Sequence, residues 1–309
     1  PTRRVGPWLS VASGAAGPAE AARLSAPTVP LPDGILVVHK PQNWTSFDVV
    51  AKVRNTLQDH FRSHGHKFSG RKKLKVGHGG TLDPMATGLL VIGVGKGCRA
   101  LEGYLHGVKS YAAVAQLGSE TDSQDAEGFV NRKAPYEHVT EEALREAAVA
   151  LTGEIMQRPP IFSAIKKGGK RMYDLARKGE VTEEEMEPRR VKVHELRVSA
   201  PDATGRFELH VRCGGGTYVR TLIVDLARAV GSGAHMTSLT RTQHGPFHVC
   251  HDDAPPLHEA REVRPVVQAD FTDVARLLGA MGEAEQVLQA LAGEGESDGV
   301  DVPCTSARA

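Results

Sequence analysis

The stretch Lys75-Val-Gly-His-Gly-Gly-Thr-Leu-Asp-Pro-Met-Ala-Thr-Gly-Leu-Leu-Val-Ile-Gly93 decides how this chain of 309 residues is read. It places one carboxylate, Asp83, in a glycine-rich turn between apolar runs, with Pro84 directly after it and His78 shortly before it. Pro84 drives Asp83 out of the α region toward an extended conformation. The neighbouring glycines permit turns and close backbone approach that a Cβ would resist. Together these features put an acid on a stiff loop at the lip of a sheet, within reach of a ligand. Such an acid suits a nucleophile or a general base. An Asp that closes a turn or caps a helix carries the same local signature.

Before this loop, a strand is expected at Ile35–Val38. A helix capped by Thr45 or Ser46 follows, with Val49, Val50, Val53 and Leu57 on one face. His64 to Lys73 reads as a polar, basic loop. After the acid, Leu89 to Val94 reads as a buried strand. Lys109 to Leu117 alternates, with Tyr111, Ala113, Ala115 and Leu117 on one face, as a strand does. Thr121 to Gly128 superficially resembles a calcium loop. Its acids fall at the wrong intervals and no Glu closes it, so it is read as a turn between strands. Thr140 to Leu151 is a capped helix. Phe207 to Cys213 is a half-buried strand leading through a glycine triplet into a helix from about Thr217.

That helix carries an apolar stripe of Val219, Leu222, Ile223, Leu226, Ala227 and Val230. Arg220 falls roughly 90° from the stripe's centre, at the border of packed and open surface. A cation at a helix start is disfavoured by the dipole, so a carboxylate partner for Arg220 is expected. Asp270 to Leu291 reads as one or two helices. Strands and helices alternate without a βαβ cadence, which indicates an α+β fold with a largely antiparallel sheet.

The formal charge of +1 conceals an asymmetry. Beyond Cys250 stand 12 acidic residues against 4 Arg, whereas residues 1–250 hold 34 basic and 25 acidic side chains. A basic body suggests a polyanionic partner, although any single cluster is also an ordinary solvated surface. Two basic stretches stand out. Lys67, Arg71, Lys72, Lys73 and Lys75 precede the Asp83 loop. Lys166, Lys167, Lys170, Arg171, Arg177 and Lys178 follow Pro159-Pro160 in a glycine-broken segment suited to holding phosphates.

Other chemistries find no support. Cys98, Cys213, Cys250 and Cys304 are far apart, giving neither a zinc nor a redox motif. His60, His64 and His66 lie in what reads as a loop, without further ligands at metal spacing. Gly93-Val-Gly-Lys-Gly lacks the residues of a Walker segment and the third glycine of a dinucleotide fingerprint. No His-Glu-x-x-His or Gly-x-Ser-x-Gly occurs, so neither metal nor cofactor is expected. No apolar run approaches the ~20 residues of a membrane span. Residues 1–33 are expected to be a disordered leader or an organellar transit peptide, which leaves the compartment open.

Gly77-His-Gly-Gly-Thr-Leu-Asp-Pro-Met-Ala-Thr-Gly88 resembles the active-site segment of the TruB-type RNA pseudouridine synthases. Further matches follow in family order. They are His39-Lys40-Pro41 with Thr45-Ser46, Lys109-Ser110-Tyr111, Gly153 to Pro160, Ser163-Ala-Ile-Lys166, Gly214 to Thr221, and Leu239-Thr-Arg-Thr242. The likeness runs from about Gly34 to about His251. It implies the pseudouridine synthase fold, a bent mixed sheet with flanking helices around a central active-site cleft. The implied catalytic domain is residues 34–251, leaving 252–309 as an acidic, partly helical extension. No strand-rich RNA-binding appendix of the kind found in many relatives is read there.

The resemblance also implies a reaction. A uridine is extruded from its RNA, because its glycosidic bond is out of reach in the stack. Asp83 attacks ribose C1′ or uracil C6, and the uracil rejoins through C5. Tyr111 is implied to stack on the base and complete the proton transfer. Arg220 is implied to pair with Asp83 and keep it ionised. Tyr218 and Leu239 are implied to line the uracil pocket, His78 to hold flipped nucleotides, and Lys40 and Pro41 to shape the floor. The implied substrate is uridine 55 in the T-arm stem-loop of tRNA, with messenger RNA stem-loops as further candidates, acted on by a monomer. A guide-RNA-dependent rRNA synthase and a noncatalytic RNA-folding factor are the competing readings.

Overall fold

Two residue pairs hold the two halves of the main sheet together. They are Thr240 beside Thr87 and Arg241 beside Gly88, in a parallel pairing. The computed structural model in which they are seen describes residues 29–293, apart from 70–72, 164, 177, 183–184 and 250–260. Most of the expected leader, the end of the acidic extension and His251 lie outside the described residues.

In chain order the elements begin with β1 (Gly34–Lys40), α1 (Ser46–Ser63), β2 (Val76–His78) and β3 (Thr87–Val94). A short 3-10 turn then enters α2 (Leu101–His106), followed by β4 (Lys109–Leu117), β5 (Ser119–Thr121) and β6 (Val130–Lys133). Next come α3 (Glu141–Ala150), β7 (Gly153–Gln157), β8 (Lys166–Lys167), β9 (Lys170–Arg171) and α4 (Met172–Ala176). β10 (Arg189–Val198), β11 (Arg206–Cys213), α5 (Val219–Ala229) and β12 (Ala234–His244) complete the body. The C-terminal part holds β13 (Phe247–His248), β14 (Arg261–Glu262), a 3-10 turn at Gln268–Thr272 and α6 (Val274–Gly293).

The main sheet runs β1-β3-β12-β4-β11-β10-β7, with β2 also on β3 and β13-β14 appended to β12. Apart from β3–β12 and β13–β14, its pairings are antiparallel. The fold is therefore α+β with a mixed, mainly antiparallel sheet. Thr87 opens β3 directly after the Asp83 loop, so that loop is delivered to the seam between the halves. The seam needs a glycine. Gly88 has φ +102°, and a Cβ there would stand 2.3 Å from the Arg241 carbonyl oxygen.

Beneath β4, β11 and β12 lies one core. Ala113, Leu117, Phe207 and Leu209 pack with Leu144 of α3 and Leu222, Ile223 and Leu226 of α5. Around β1 and β3 lies another, in which Leu36, Val38, Leu90 and Ile92 meet Val49, Val53, Leu57 and Phe61 of α1. Burying each such side chain contributes about 1.5–3 kcal/mol. Val266, Phe271 and Leu277 complete this second core, although they stand in the stretch expected as a separate extension. Val266 also exchanges backbone hydrogen bonds with β1, receiving from His39 N at 2.9 Å and donating to Val37 O at 3.1 Å.

Thr45 caps α1 through a reciprocal capping box with Asp48, and Thr140 caps α3. Thr121 to Gly128 connects β5 to β6, as a turn between strands should. The histidine-rich loop is shorter than expected. His60 lies in the last turn of α1 and His64 is its C-terminal cap, because the apolar face of the helix continues to Phe61. Among the described residues no group of three metal-ligating side chains is close enough to hold an ion. Nor is any described helix long and apolar enough to cross a membrane.

Candidate active site

Asp83 sits in the loop joining β2 to β3, in a tight turn where Ala86 N donates to its carbonyl at 3.1 Å. Three contacts stiffen that loop. Ser46 Oγ accepts from Leu82 N at 2.9 Å and donates to Leu82 O at 3.3 Å, tying the start of α1 to the residue before the acid. Asn43 N donates to Pro84 O at 2.8 Å. Lys40 Nζ donates to the carbonyls of Pro41, Trp44 and Pro84 at 2.8, 2.6 and 3.1 Å. Lys40 and Pro41 thus form a clamp under the loop. Burial lowers the Lys40 ammonium to about 8, against the pull of Asp83.

The carboxylate side chain of Asp83 remains 32% exposed and faces a buried cation, with Arg220 Nε 2.9 Å from its Oδ2. The sequence placed Arg220 at the edge of open surface. It is instead only 4% exposed, because two segments remote in sequence cover it. Arg220 donates through Nη1 to Ser123 O at 2.7 Å and through Nη2 to Phe162 O at 3.0 Å. Asp125 Oδ2 stands 3.8 Å from Nη1. The loop read as a plain turn therefore supplies a carbonyl and a second carboxylate to this guanidinium. Asp125 is itself locked by Ser123 Oγ at 2.5 Å and by Glu127 N at 3.1 Å.

Tyr111 is almost fully buried on β4, directly opposite Arg241 of β12. The Arg241 guanidinium carbon lies 5.9 Å from the centre of the tyrosine ring. Burial pushes the Tyr111 phenol up to about 12, and the nearby guanidinium opposes that rise. Arg241 is 0% exposed. Its Nε donates to Leu89 O at 2.7 Å and its Nη2 to Gly80 O at 3.1 Å, so it bridges β3 and the Asp83 loop. Leu239, two residues earlier on β12, is buried in the same core as Tyr111.

Tyr218 occupies the N-cap of α5, where no side chain caps the helix. Its backbone is gripped by Gln157, whose Oε1 accepts from Tyr218 N at 2.8 Å and whose Nε2 donates to Tyr218 O at 3.1 Å. That grip fixes the turn from which Arg220 departs. His78 ends β2 at the start of the acid's loop, where Gly80 N donates to its Nδ1 at 3.3 Å. Its ring meets Phe47 edge-on, with centroids 5.1 Å apart.

Sequence reading had left four of these residues without roles. Asp125 and Ser123 lay in an apparent turn, and Gln157 in a motif whose geometry was unknown. Arg241 had a signal that could have been used. It stands two residues after the apolar Leu239, on the same face of a strand, although the bulge after Met236 breaks the longer alternation.

Residues 67–219 match the model of the TruB family pseudouridylate synthase N-terminal domain. Residues 220–284 match the tRNA pseudouridylate synthase B C-terminal domain. The chain belongs to the TruB family of pseudouridylate synthases. It is 42% identical to tRNA pseudouridine synthase B of Thermobifida fusca over 272 residues, covering 85% of this chain and 83% of the relative. It is 39% identical to human pseudouridylate synthase TRUB1 over 216 residues, covering 69% of this chain and 61% of that protein. Among solved structures it resembles a chain of a Cbf5-Nop10-Gar1 complex, with a TM-score of 0.53 and 25% identity, covering 84% of this chain and 59% of that one. The family's C-terminal domain match thus takes in α5 from Arg220, all of β12 and the first half of α6.

Proposed function

We propose that this TruB-family isomerase converts uridine 55 in the T-loop of tRNA to pseudouridine, with Asp83 as nucleophile. The observation that carries the proposal is the Asp83–Arg220 pair. The acid is partly open to a ligand while its cation is sealed away from water. The guanidinium holds the carboxylate through a direct ion pair and leaves the rest of its surface free to meet a ligand. A substrate that must leave the stack to reach Asp83 is more cheaply extruded from a single-stranded loop than from a duplex.

In the reaction the N1–C1′ bond breaks, a C5–C1′ bond forms, the C5 hydrogen leaves as a proton, and the freed N1 takes up a proton. Asp83 attacks C1′ or C6. Tyr111 packs on the base and assists the proton transfer. Tyr218 and Leu239 line the pocket, His78 holds neighbouring nucleotides, and Lys40 with Pro41 supports the loop from below. The relatives named tRNA pseudouridine synthase B support tRNA as substrate. Messenger RNA stem-loops of the same shape fall within the proposal, as does action by a single copy without partners.

Release of tritium from a T-loop stem-loop carrying [5-³H]uridine tests it. Purified protein should release tritium without guide RNA or partner proteins. Asp83→Asn should release none while still binding the RNA. Binding without release by the wild type would favour an RNA-folding factor. Release only with a guide RNA would favour a guided particle, and release only with added partner proteins would favour an assembly of the kind seen in the Cbf5-Nop10-Gar1 complex.

A further inference from the structure

Phe47 is 53% exposed, although it stands in the first turn of a helix whose start is closed by a full capping box. Thr45 and Asp48 close a capping box around it, and Ser46 is bonded to both backbone groups of Leu82. Its Cα is therefore fixed relative to Asp83, one residue beyond Leu82. A Phe left in water contributes little to folding, since its stabilising value comes from burial. Phe129, the other exposed Phe among the described residues, lies between β5 and β6, where no described ring contact accompanies it.

Phe47 differs in what it stands beside. Its ring meets the His78 imidazole at 83°, with centroids 5.1 Å apart. The Gly80 N–H directed at Nδ1 helps to hold that imidazole. Two rings at a right angle make a corner, one ring offering a face and the other an edge. A rigid, half-exposed aromatic beside a second ring suits an unpaired nucleobase. Base–aromatic stacking tolerates any base and is favourable wherever bases are unstacked from one another.

We propose that Phe47 is a further RNA-binding residue, stacking on an unpaired base next to the uridine that enters the Asp83 site. The proposal rests on the function proposed above and adds a position to which that reading gives no role. Phe47 acts on binding and lies outside the reacting atoms. It should therefore affect KM and leave the chemical step alone.

The test is steady-state tritium release from the [5-³H]uridine stem-loop by Phe47→Ala, Phe47→Leu and Phe47→Trp. Phe47→Ala should raise KM about tenfold and change kcat by less than about twofold. Phe47→Leu keeps apolar bulk but has no π face, and it should behave like Phe47→Ala. Phe47→Trp should restore a KM near wild type. Unchanged thermal unfolding midpoints show that the fold is intact. If Phe47→Leu or Phe47→Ala binds as tightly as wild type, stacking is refuted, while tritium release by wild type leaves the proposed function standing. A loop with 2-aminopurine next to the uridine reads the same contact without turnover. Its fluorescence should be quenched by wild type and not by Phe47→Leu, even if no isomerisation occurs. Equal quenching by both would also overturn the proposal.

Discussion

Arg220 and Arg241 are both sealed from solvent beside the same loop, yet they are neutralised in different ways. Arg220 meets the carboxylates of Asp83 and Asp125 as well as two carbonyls. Arg241 meets carbonyls and a tyrosine ring. One guanidinium faces an acid that remains partly exposed. The other joins that acid's loop to the sheet. A buried cation thus serves either to hold a carboxylate or to fix a backbone, and its acceptors distinguish the two roles.

The comparison breaks first at Arg220. Arg220→Ala leaves two carboxylates without their cation, and losing one partner of a buried pair typically costs about 3–5 kcal/mol. Single-turnover tritium release should therefore fall by orders of magnitude while RNA binding changes far less. Arg220→Lys should recover only part of the rate, because an ammonium lacks the guanidinium's fork. Equal losses in binding and rate would remove the distinction between the two arginines.

Gly88→Ala attacks the seam itself. Its Cβ would collide with the Arg241 backbone in a conformation that non-glycine residues avoid. A loss of at least about 3 kcal/mol in urea denaturation is expected, in the upper range for point mutants. A folded variant with wild-type stability would show that the two halves of the sheet are not locked at this point.

A milder effect should follow from Arg241→Met. It frees the Leu89 and Gly80 carbonyls, worth about 1–3 kcal/mol of stability, while relieving the burial of a charge. Its kcat should drop less than that of Arg220→Ala. A larger drop would make Arg241 a partner in the chemistry through Tyr111.

The smallest expected effect belongs to Lys109, whose Nζ donates to the carbonyls of Tyr104, Leu105 and Gly107 at the end of α2. Burial lowers it from an ordinary 10.5 to about 8. Between those values the unfolded chain holds more protons than the folded one, so stability from this group rises with pH. It is fully present above the upper value and lost as pH falls through about 8. Wild type should therefore gain more than Lys109→Met in urea midpoint between pH 7 and pH 10. An equal gain would show that the folded protein does not depress this lysine.

The contrast between the two arginines also marks how far the residue pattern reaches. Arg220 was legible as a cation in need of an acid, since a helix start repels positive charge. Its burial was not legible, because the cover comes from Ser123 and Phe162, 97 and 58 residues away. Arg241 was visible only as part of a motif, and its carbonyl acceptors lie 152 and 161 residues away. Periodicity likewise marked β4, β11, α1 and α3. The strand role of β12 was not evident, because its bulges after Met236 and Arg241 break the alternation.

Local chain chemistry determined the Asp83 turn, the capped helices, the alternating strands and the motif set that names the family. Those features depend on neighbours a few residues apart, and steric and hydrogen-bonding preferences fix them at that range. The pairing of Asp83 with Arg220, the bridge made by Arg241 and the closure of β1 by residues 261–293 were decided only in three dimensions. Each requires groups far apart in the chain to exchange water for one another, and that exchange becomes favourable only once the cores are packed.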